Sequence, residues 1–120
     1  MRVMVLFSIH PIGEGVHVGA HVARAVAVIR ASGLEHQLGP SGTTIVGAWD
    51  EVFACIKACH AELARDTERV SSLIKVDQWE ALGPGSIAAK VARVEARTEP
   101  ATRRARRKLA RRPRRRGREG

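Results

Sequence analysis

The residues of this chain best suited to hold a small ligand form one short run of small polar side chains. Ser41, Gly42, Thr43 and Thr44 stand where a turn joins two short apolar segments. Hydroxyls and free backbone amides in a turn can dock the polar groups of a ligand. The same groups can instead be satisfied within a β-turn. The run therefore leaves a ligand site and a purely local turn both open.

Other residue pairs could in principle bind a metal or take part in catalysis, but their spacing gives weaker evidence for such a site. His17 and His21 are four residues apart on a predicted helix, but no third ligand follows at a suitable spacing, so we favour solvated or interface histidines over a metal site. Cys55 and Cys59 share a helix face and are predicted to be small buried side chains without a disulfide. No Ser-His-Asp or Cys-His spacing favours nucleophilic catalysis. We predict a protein that is not an enzyme and uses no metal or cofactor.

Three residues near the second predicted helix each have two interpretations. Asp50 could supply a ligand carboxylate, but capping the helix is favoured. Trp49 could stack on a flat ligand, but packing at the sheet edge or in an oligomer contact is favoured. His60 follows a core position and is expected to be partly buried and hydrogen-bonded rather than catalytic.

The elements that must position these residues can be read from hydrophobic periodicity. Alternating apolar residues predict four strands, at 2–10, 35–38, 43–48 and 69–77. Helical spacing predicts helices at 16–31, from 50 to about 64, and at 86–96. The order β-α-β-β-α-β is typical of an α+β ferredoxin-like sandwich, with a four-stranded antiparallel sheet, two helices on one face and here a short C-terminal helix.

The first strand is apolar on both faces. Val3, Val5 and Phe7 alternate with Met4 and Leu6. Because the two helices can cover only one face of the sheet, the other should present an exposed apolar patch, which usually marks a partner surface. The strand therefore predicts self-association, sheet against sheet.

The net charge of +9 comes entirely from the C-terminus, since residues 1–98 are neutral. Residues 99–120 are predicted to be a disordered Arg-rich tail after a folded domain at 1–98. Such a tail could contact nucleic acid through counterion release, without aromatic residues to stack on bases, or be a solvated extension; both remain open. No apolar run approaches the roughly 18 residues of a membrane span, and no signal-peptide cleavage pattern follows the start, so a cytoplasmic location without membrane contact is expected.

Three motifs also follow one pattern along the chain. The first is SIHPIG at 8–13. The second is a series of three pieces, SGL at 32–34, LGPSGT at 38–43 and DEV at 50–52. The third is RVSSLIKVD at 69–77, and the dipeptide KV at 90–91 follows it. Together they resemble the small thiamine-binding protein family of bacteria and archaea over about residues 3–96. The chain departs from the family pattern where His21 and His36 replace tyrosines, where Ser41 replaces a methionine, and where an acidic residue before Gly47 is missing.

The resemblance implies a ferredoxin-like domain that forms dimers or tetramers through its sheet faces. It also implies non-enzymatic binding of thiamine or its pyrimidine precursor. The candidate ligand-binding residues are Ser8 and His10 at the end of the first strand, and Ser41, Gly42, Thr43 and Thr44 at the turn. The alternative is a structural or regulatory oligomer whose basic tail makes nonspecific contact with nucleic acid.

Overall fold

The computed structural model describes residues 1–111 and contains one four-stranded sheet and three helices. The elements are β1 (Arg2–Pro11), α1 (Gly19–Ser32), β2 (Glu35–Gly39), β3 (Gly42–Ala48), α2 (Trp49–Ala64), β4 (Val70–Gln78) and α3 (Ser86–Ala110). All strand pairs are antiparallel, in the order β2-β3-β1-β4. The predicted α+β ferredoxin-like arrangement is confirmed.

The hydrophobic core lies between the sheet and the helices α1 and α2. Alternate residues of β1, namely Val3, Val5 and Phe7, are at most 2% exposed and form its centre. Each helix contributes one apolar stripe at helical spacing. The stripes are Ala25 and Ile29 on α1, and Val52, Cys55, Ile56, Cys59 and Leu63 on α2.

The two core helices are also joined by a charged contact at one end. The guanidinium of Arg24 on α1 donates to both carboxylate oxygens of Asp66, at 2.8 and 2.9 Å, and to the backbone carbonyl of Glu62 at 2.7 Å. Hydrogen bonding to Arg24 holds the pKa of the Asp66 carboxyl below its usual value. The contact fixes the C-terminal end of α2 against α1.

The outer face of the sheet is only partly exposed, unlike the open patch expected from β1. The chain that follows β4 returns over this face, where Leu82 and Ile87 pack against Val46 and Met4. These side chains form a second, smaller apolar cluster. Leu6, farther along β1, is left 44% exposed. The exposed apolar surface is therefore smaller than the sequence pattern predicts.

Two predicted helix starts were wrong. Helix α1 begins at Gly19 rather than at residue 16, because the preceding loop offers no capping side chain and its N-cap, Val18, makes no side-chain cap bond. The predicted cap residue Asp50 lies inside the first turn of α2, whose N-cap is Ala48. A carboxylate in that position still interacts favourably with the positive end of the helix dipole.

The C-terminal helix is much longer than predicted. Instead of ending at 96, α3 continues to Ala110 and contains Pro100, so the predicted disorder is contradicted up to that point. The Ala and Arg residues beyond Thr98 have high helix propensity, which offsets the bond lost at the proline. Residues Met1–Ile87 form one compact unit and a second begins at Ala88, whereas the sequence predicted a boundary after 98. The rest of the predicted tail, 112–120, lies outside the described residues.

Candidate ligand cleft at the end of the sheet

A cleft of about 210 Å³ lies within the Met1–Ile87 unit, where β1, α1 and the β2–β3 turn converge. Its apolar walls come from both the sheet and the helix. They are formed by Phe7 and Ile9 of β1, by Leu38 of β2, and by Val18, Val22, Ala25, Val26 and Ile29. Polar groups enter from the end of β1 and from the turn. The cleft thus combines an apolar slot with a few hydroxyl and amide groups, which is the usual composition of a small-molecule site.

The cleft exists because the neighbours of β1 end at different points. The ladder between β1 and β3 stops at the pair Phe7 and Thr43, whereas the ladder between β1 and β4 continues to Pro11. The last residues of β1 therefore have a strand partner on one side only. The β2–β3 turn and α1 border the space left on the other side.

Five of the six candidate residues line this cleft. Ser41, Gly42 and Thr43 come from the turn and the start of β3, and Ser8 and His10 come from the end of β1. The side chains of Ser8 and His10 alternate with the inward-facing Phe7 and Ile9 and so point to the outer face, which leaves their backbone to border the cleft. The structure thus brings together two segments that are about thirty residues apart in sequence.

The sixth candidate, Thr44, does not line the cleft. Successive side chains of a strand point to opposite faces of the sheet. Thr43 points inward and is only 4% exposed, so Thr44 lies on the outer face opposite Leu6 of β1. Thr44 therefore lies away from the cleft that the other five candidates line, and its contact with a ligand stays a prediction.

The turn approaches β1 closely at Gly42. A Cβ atom on this residue would lie 2.9 Å from the backbone carbonyl oxygen of Phe7 and 3.2 Å from Cδ1 of Leu6. A Cβ on Gly39 would lie 3.0 Å from the carbonyl oxygen of Gly42 itself. Glycine at 42 therefore has a specific structural reason: any side chain would push the turn away from the strand that it borders.

Sequence reasoning missed the part of the cleft that α1 provides. Val22, Val26 and Ile29 were assigned to the core stripe alone, yet they also line the cleft. The signal was present, because the apolar stripe extends to Val22 and Val18 at the N-terminal end of the helix. Only the packing reveals that this end of the stripe faces an open space.

The remaining chemistry-bearing residues lie outside the cleft lining. Trp49 stacks on Phe53, with ring centroids 4.6 Å apart, in agreement with the packing interpretation. His60 Nε2 is 2.7 Å from Ser72 Oγ across α2 and β4, so this histidine is partly buried and hydrogen-bonded as expected. His21 Nδ1 is buried with no hydrogen-bond partner among residues 1–111. Within those residues, no group of three or more His, Cys, Asp or Glu side chains is placed to hold a metal ion.

Both cysteines are free thiols in the core. Burial, with a smaller contribution from the adjacent Cys55, raises the pKa of the Cys59 thiol to about 12. The Cys59 thiol faces the backbone carbonyl oxygen of Ala25, with Sγ 3.5 Å away. A thiol with such a pKa is protonated at neutral pH and is a poor nucleophile.

Comparison with known protein families shows to which family this chain belongs. The family model described as thiamine-binding protein matches residues 5–95. The chain belongs to this family. Within the family, it is 41% identical over 96 residues to a UPF0045 protein of Mycobacterium bovis, which covers 79% of this chain and 93% of that protein. It is 42% identical over 76 residues to a UPF0045 protein of Synechocystis, which covers 62% of this chain and 63% of that protein.

Solved structures give the same fold for the thiamine-binding protein family. A hypothetical protein from Methanocaldococcus jannaschii is similar with a TM-score of 0.71 and 28% identity, over 78% of this chain and 96% of that one. A putative thiamine biosynthesis/salvage protein from Thermotoga maritima has a TM-score of 0.65 over 76% of this chain and 99% of that one. At 22% identity the second likeness shows the fold alone. No helix within residues 1–111 combines the length and apolar character needed to cross a membrane.

Proposed function

We propose that this protein binds thiamine or a related aminopyrimidine in the cleft formed by β1, α1 and the β2–β3 turn, without catalysing a reaction. The observation that carries the proposal is the convergence of Ser8, His10, Ser41, Gly42 and Thr43 on one apolar cleft in a member of the thiamine-binding protein family. The Thermotoga maritima protein of the same fold is named for thiamine biosynthesis or salvage, which points to the same class of ligand.

The chemistry of the cleft suits the pyrimidine half of thiamine better than the whole molecule. Flat apolar walls from Phe7, Ile9 and Leu38 can hold the faces of an aromatic ring. Hydroxyls such as that of Ser41 can bond its ring nitrogens and amine. A volume of about 210 Å³ is below the roughly 300–1,000 Å³ typical of ligand pockets. Among the described residues that line the cleft there is no carboxylate to pair with a thiazolium cation.

The departures from the family pattern affect the cleft at one position only. Of His21, His36 and Ser41, only Ser41 lines it. The ring nitrogen Nδ1 of His36 is instead 2.8 Å from the backbone carbonyl oxygen of Leu34. The substitutions at the two histidines therefore leave the lining of the proposed site unchanged.

The proposal includes assembly to a dimer or tetramer through the exposed part of the outer sheet face. On that face Leu6 is 44% exposed and Leu73 on the edge strand β4 is 72% exposed, and the strand register brings the two leucines close together. Sedimentation at micromolar concentration should give a species larger than a monomer, and Leu73→Glu should shift it toward the monomer. A wild-type chain that sediments only as a monomer would contradict the assembly. The cytoplasmic location stays a prediction.

The binding experiment is a calorimetric titration of thiamine, and separately of its free hydroxymethyl-pyrimidine, into the full chain. We expect saturable binding of both ligands, with a larger binding free energy per non-hydrogen atom for the pyrimidine. Ser41→Trp should abolish this binding because the indole would fill the mouth of the cleft. The matched control is Ala31→Trp, which places the same bulk on an exposed position of α1 outside the cleft lining. The site is refuted if neither ligand gives heat or a melting shift up to millimolar concentration, or if both variants bind equally well.

A further inference from the structure

Helix α3 separates its charges onto distinct faces. Successive helical residues are rotated by about 100°. On this basis seven of the cationic side chains from Arg93 onward fall within an arc of about 140°, a surface we call the α3 basic face. Its members are Arg93, Arg97, Arg103, Arg104, Arg107, Lys108 and Arg111. Arg111 follows the end of the helix but keeps its direction, since its backbone N–H donates to the carbonyl of Arg107 at 3.2 Å.

The acidic residues of the helix lie on the other side. Glu95 and Glu99 point roughly opposite the centre of the basic face, and Arg106 lies between their two directions. Within residues 1–111, none of the seven cations of the basic face is in an ion pair. The face therefore presents an uncompensated row of positive charge to solvent.

We propose that the α3 basic face binds duplex nucleic acid through its phosphates, without sequence preference. From Arg93 to Arg111 the face is about 27 Å long, at about 1.5 Å per residue, which is about four-fifths of the roughly 34 Å of one duplex turn. A helix fits the major groove of B-DNA, which is about 12 Å wide, and a row of Arg side chains can reach the phosphates that border it. The face has no aromatic, Asn or Gln side chain for reading or stacking on bases.

The rest of the helix surface argues against a lipid membrane as the polyanion. Amphipathic helices that lie on membranes bury large apolar side chains such as Trp, Phe and Leu. In α3 the strip next to the basic face is formed mainly by small residues, among them Thr98, Ala101 and Ala105. C-terminal to Val94, Leu109 is the only large apolar side chain of α3. Charge complementarity therefore favours nucleic acid.

The test measures fluorescence anisotropy of a labelled mixed-sequence DNA duplex with the full chain, from 50 to 200 mM salt. The face variant is Arg104→Gln with Arg107→Gln. The matched control is Arg30→Gln with Arg106→Gln, which removes the same charge at an exposed site on α1 and on the acidic side of α3. Gln keeps helix propensity close to that of Arg, and circular dichroism verifies that both variants retain their helices.

For the face variant we expect the slope of log Kobs against log salt to become shallower by about 1.8, since each lost phosphate contact removes about 0.9. Affinity at 0.1 M salt should then fall roughly 60-fold if the lines converge near 1 M salt. The control should keep the wild-type slope. An equal loss of duplex affinity in the two variants would overturn the proposal, because net charge alone would then account for binding. Absence of duplex binding at 50 mM salt, or binding to vesicles of anionic phospholipid but not to the duplex, would also overturn it. Thiamine binding plays no part in this test.

Discussion

Replacing Gly42 by alanine tests whether the close approach of the turn to β1 shapes the candidate cleft. The new Cβ would lie 2.9 Å from the Phe7 carbonyl oxygen, about half an ångström or more inside an ordinary contact. The backbone fixes the position of the Cβ atom, the oxygen is itself a backbone atom, and both residues line the cleft. Since no flexible side chain can move aside, the turn or the strand must shift.

The expected cost is about 1–3 kcal/mol of unfolding free energy, the range found for overpacking in ordered structure. Urea unfolding followed by circular dichroism should show a lower midpoint with an unchanged m-value. In a thermal melt, each kcal/mol corresponds to about 4–8 °C for a domain of this size. Because the turn borders the cleft, binding of the aminopyrimidine should weaken in the same variant.

Gly19→Ala is the matched control. Gly19 opens α1, and a Cβ there would meet nothing within 4 Å. Alanine at that position should be neutral or stabilise the protein by up to about 1 kcal/mol, because it restricts the unfolded chain. If Gly42→Ala loses less than about 0.5 kcal/mol, or no more than Gly19→Ala, the turn relaxes freely and the steric argument is refuted.

Three further predictions concern the core, the charged contact and α3. Because burial raises the pKa of Cys59 to about 12, and because Cys55 is only 6% exposed, neither thiol should react with a disulfide reagent at pH 8 until denaturant is added; rapid reaction in the native state would contradict the packing. The Asp66 carboxyl has a lowered pKa in the fold, so its stabilisation is present above its usual value of 3.8 and is lost as pH falls through the lowered pKa. Acid unfolding should therefore lose part of its pH dependence in Arg24→Gln, and an unchanged profile would show that the contact adds nothing. Pro100→Ala should leave the helicity at 222 nm nearly unchanged but raise the temperature at which α3 melts, since proline is about 3 kcal/mol less favourable than alanine inside a helix; a large gain in helicity would count against a continuous α3.

The fold could be predicted because its signals are local. Alternation along β1 and β4 and the helical stripes of α1 and α2 each fall within a short window, and their order specifies the topology. The errors have local causes as well. Pro100 and the charge of the following residues were taken as a break in the helix, although Ala and Arg favour helix strongly enough to continue it. Membership of the family, read from three motifs, was also correct.

Thr44 shows why the candidate site was harder to predict than the fold. The sequence shows which residues of a strand face the core by alternating apolar with polar side chains. Thr43 and Thr44 are the same residue type, so this pair gives no such contrast. The inward position of Thr43 follows from Ile45, two residues later, which is fully buried. The inward position of Thr43 could therefore be predicted from the sequence, but only by continuing the alternation of β3 from Ile45 back to the turn.

The cleft itself depends on a relation between strands that no single segment contains. β1 has ten residues and β3 has seven, and their register pairs Arg2 with Ala48. The far end of β1 must therefore continue past β3, and the length of the turn decides how much of the gap is closed. At Gly42 the turn comes as near to Phe7 as a glycine allows, so it borders the gap without filling it. A ligand bound there would lie against the β1 backbone that β3 leaves unpaired, which is why the proposed site combines the end of β1 with the hydroxyl groups of the turn.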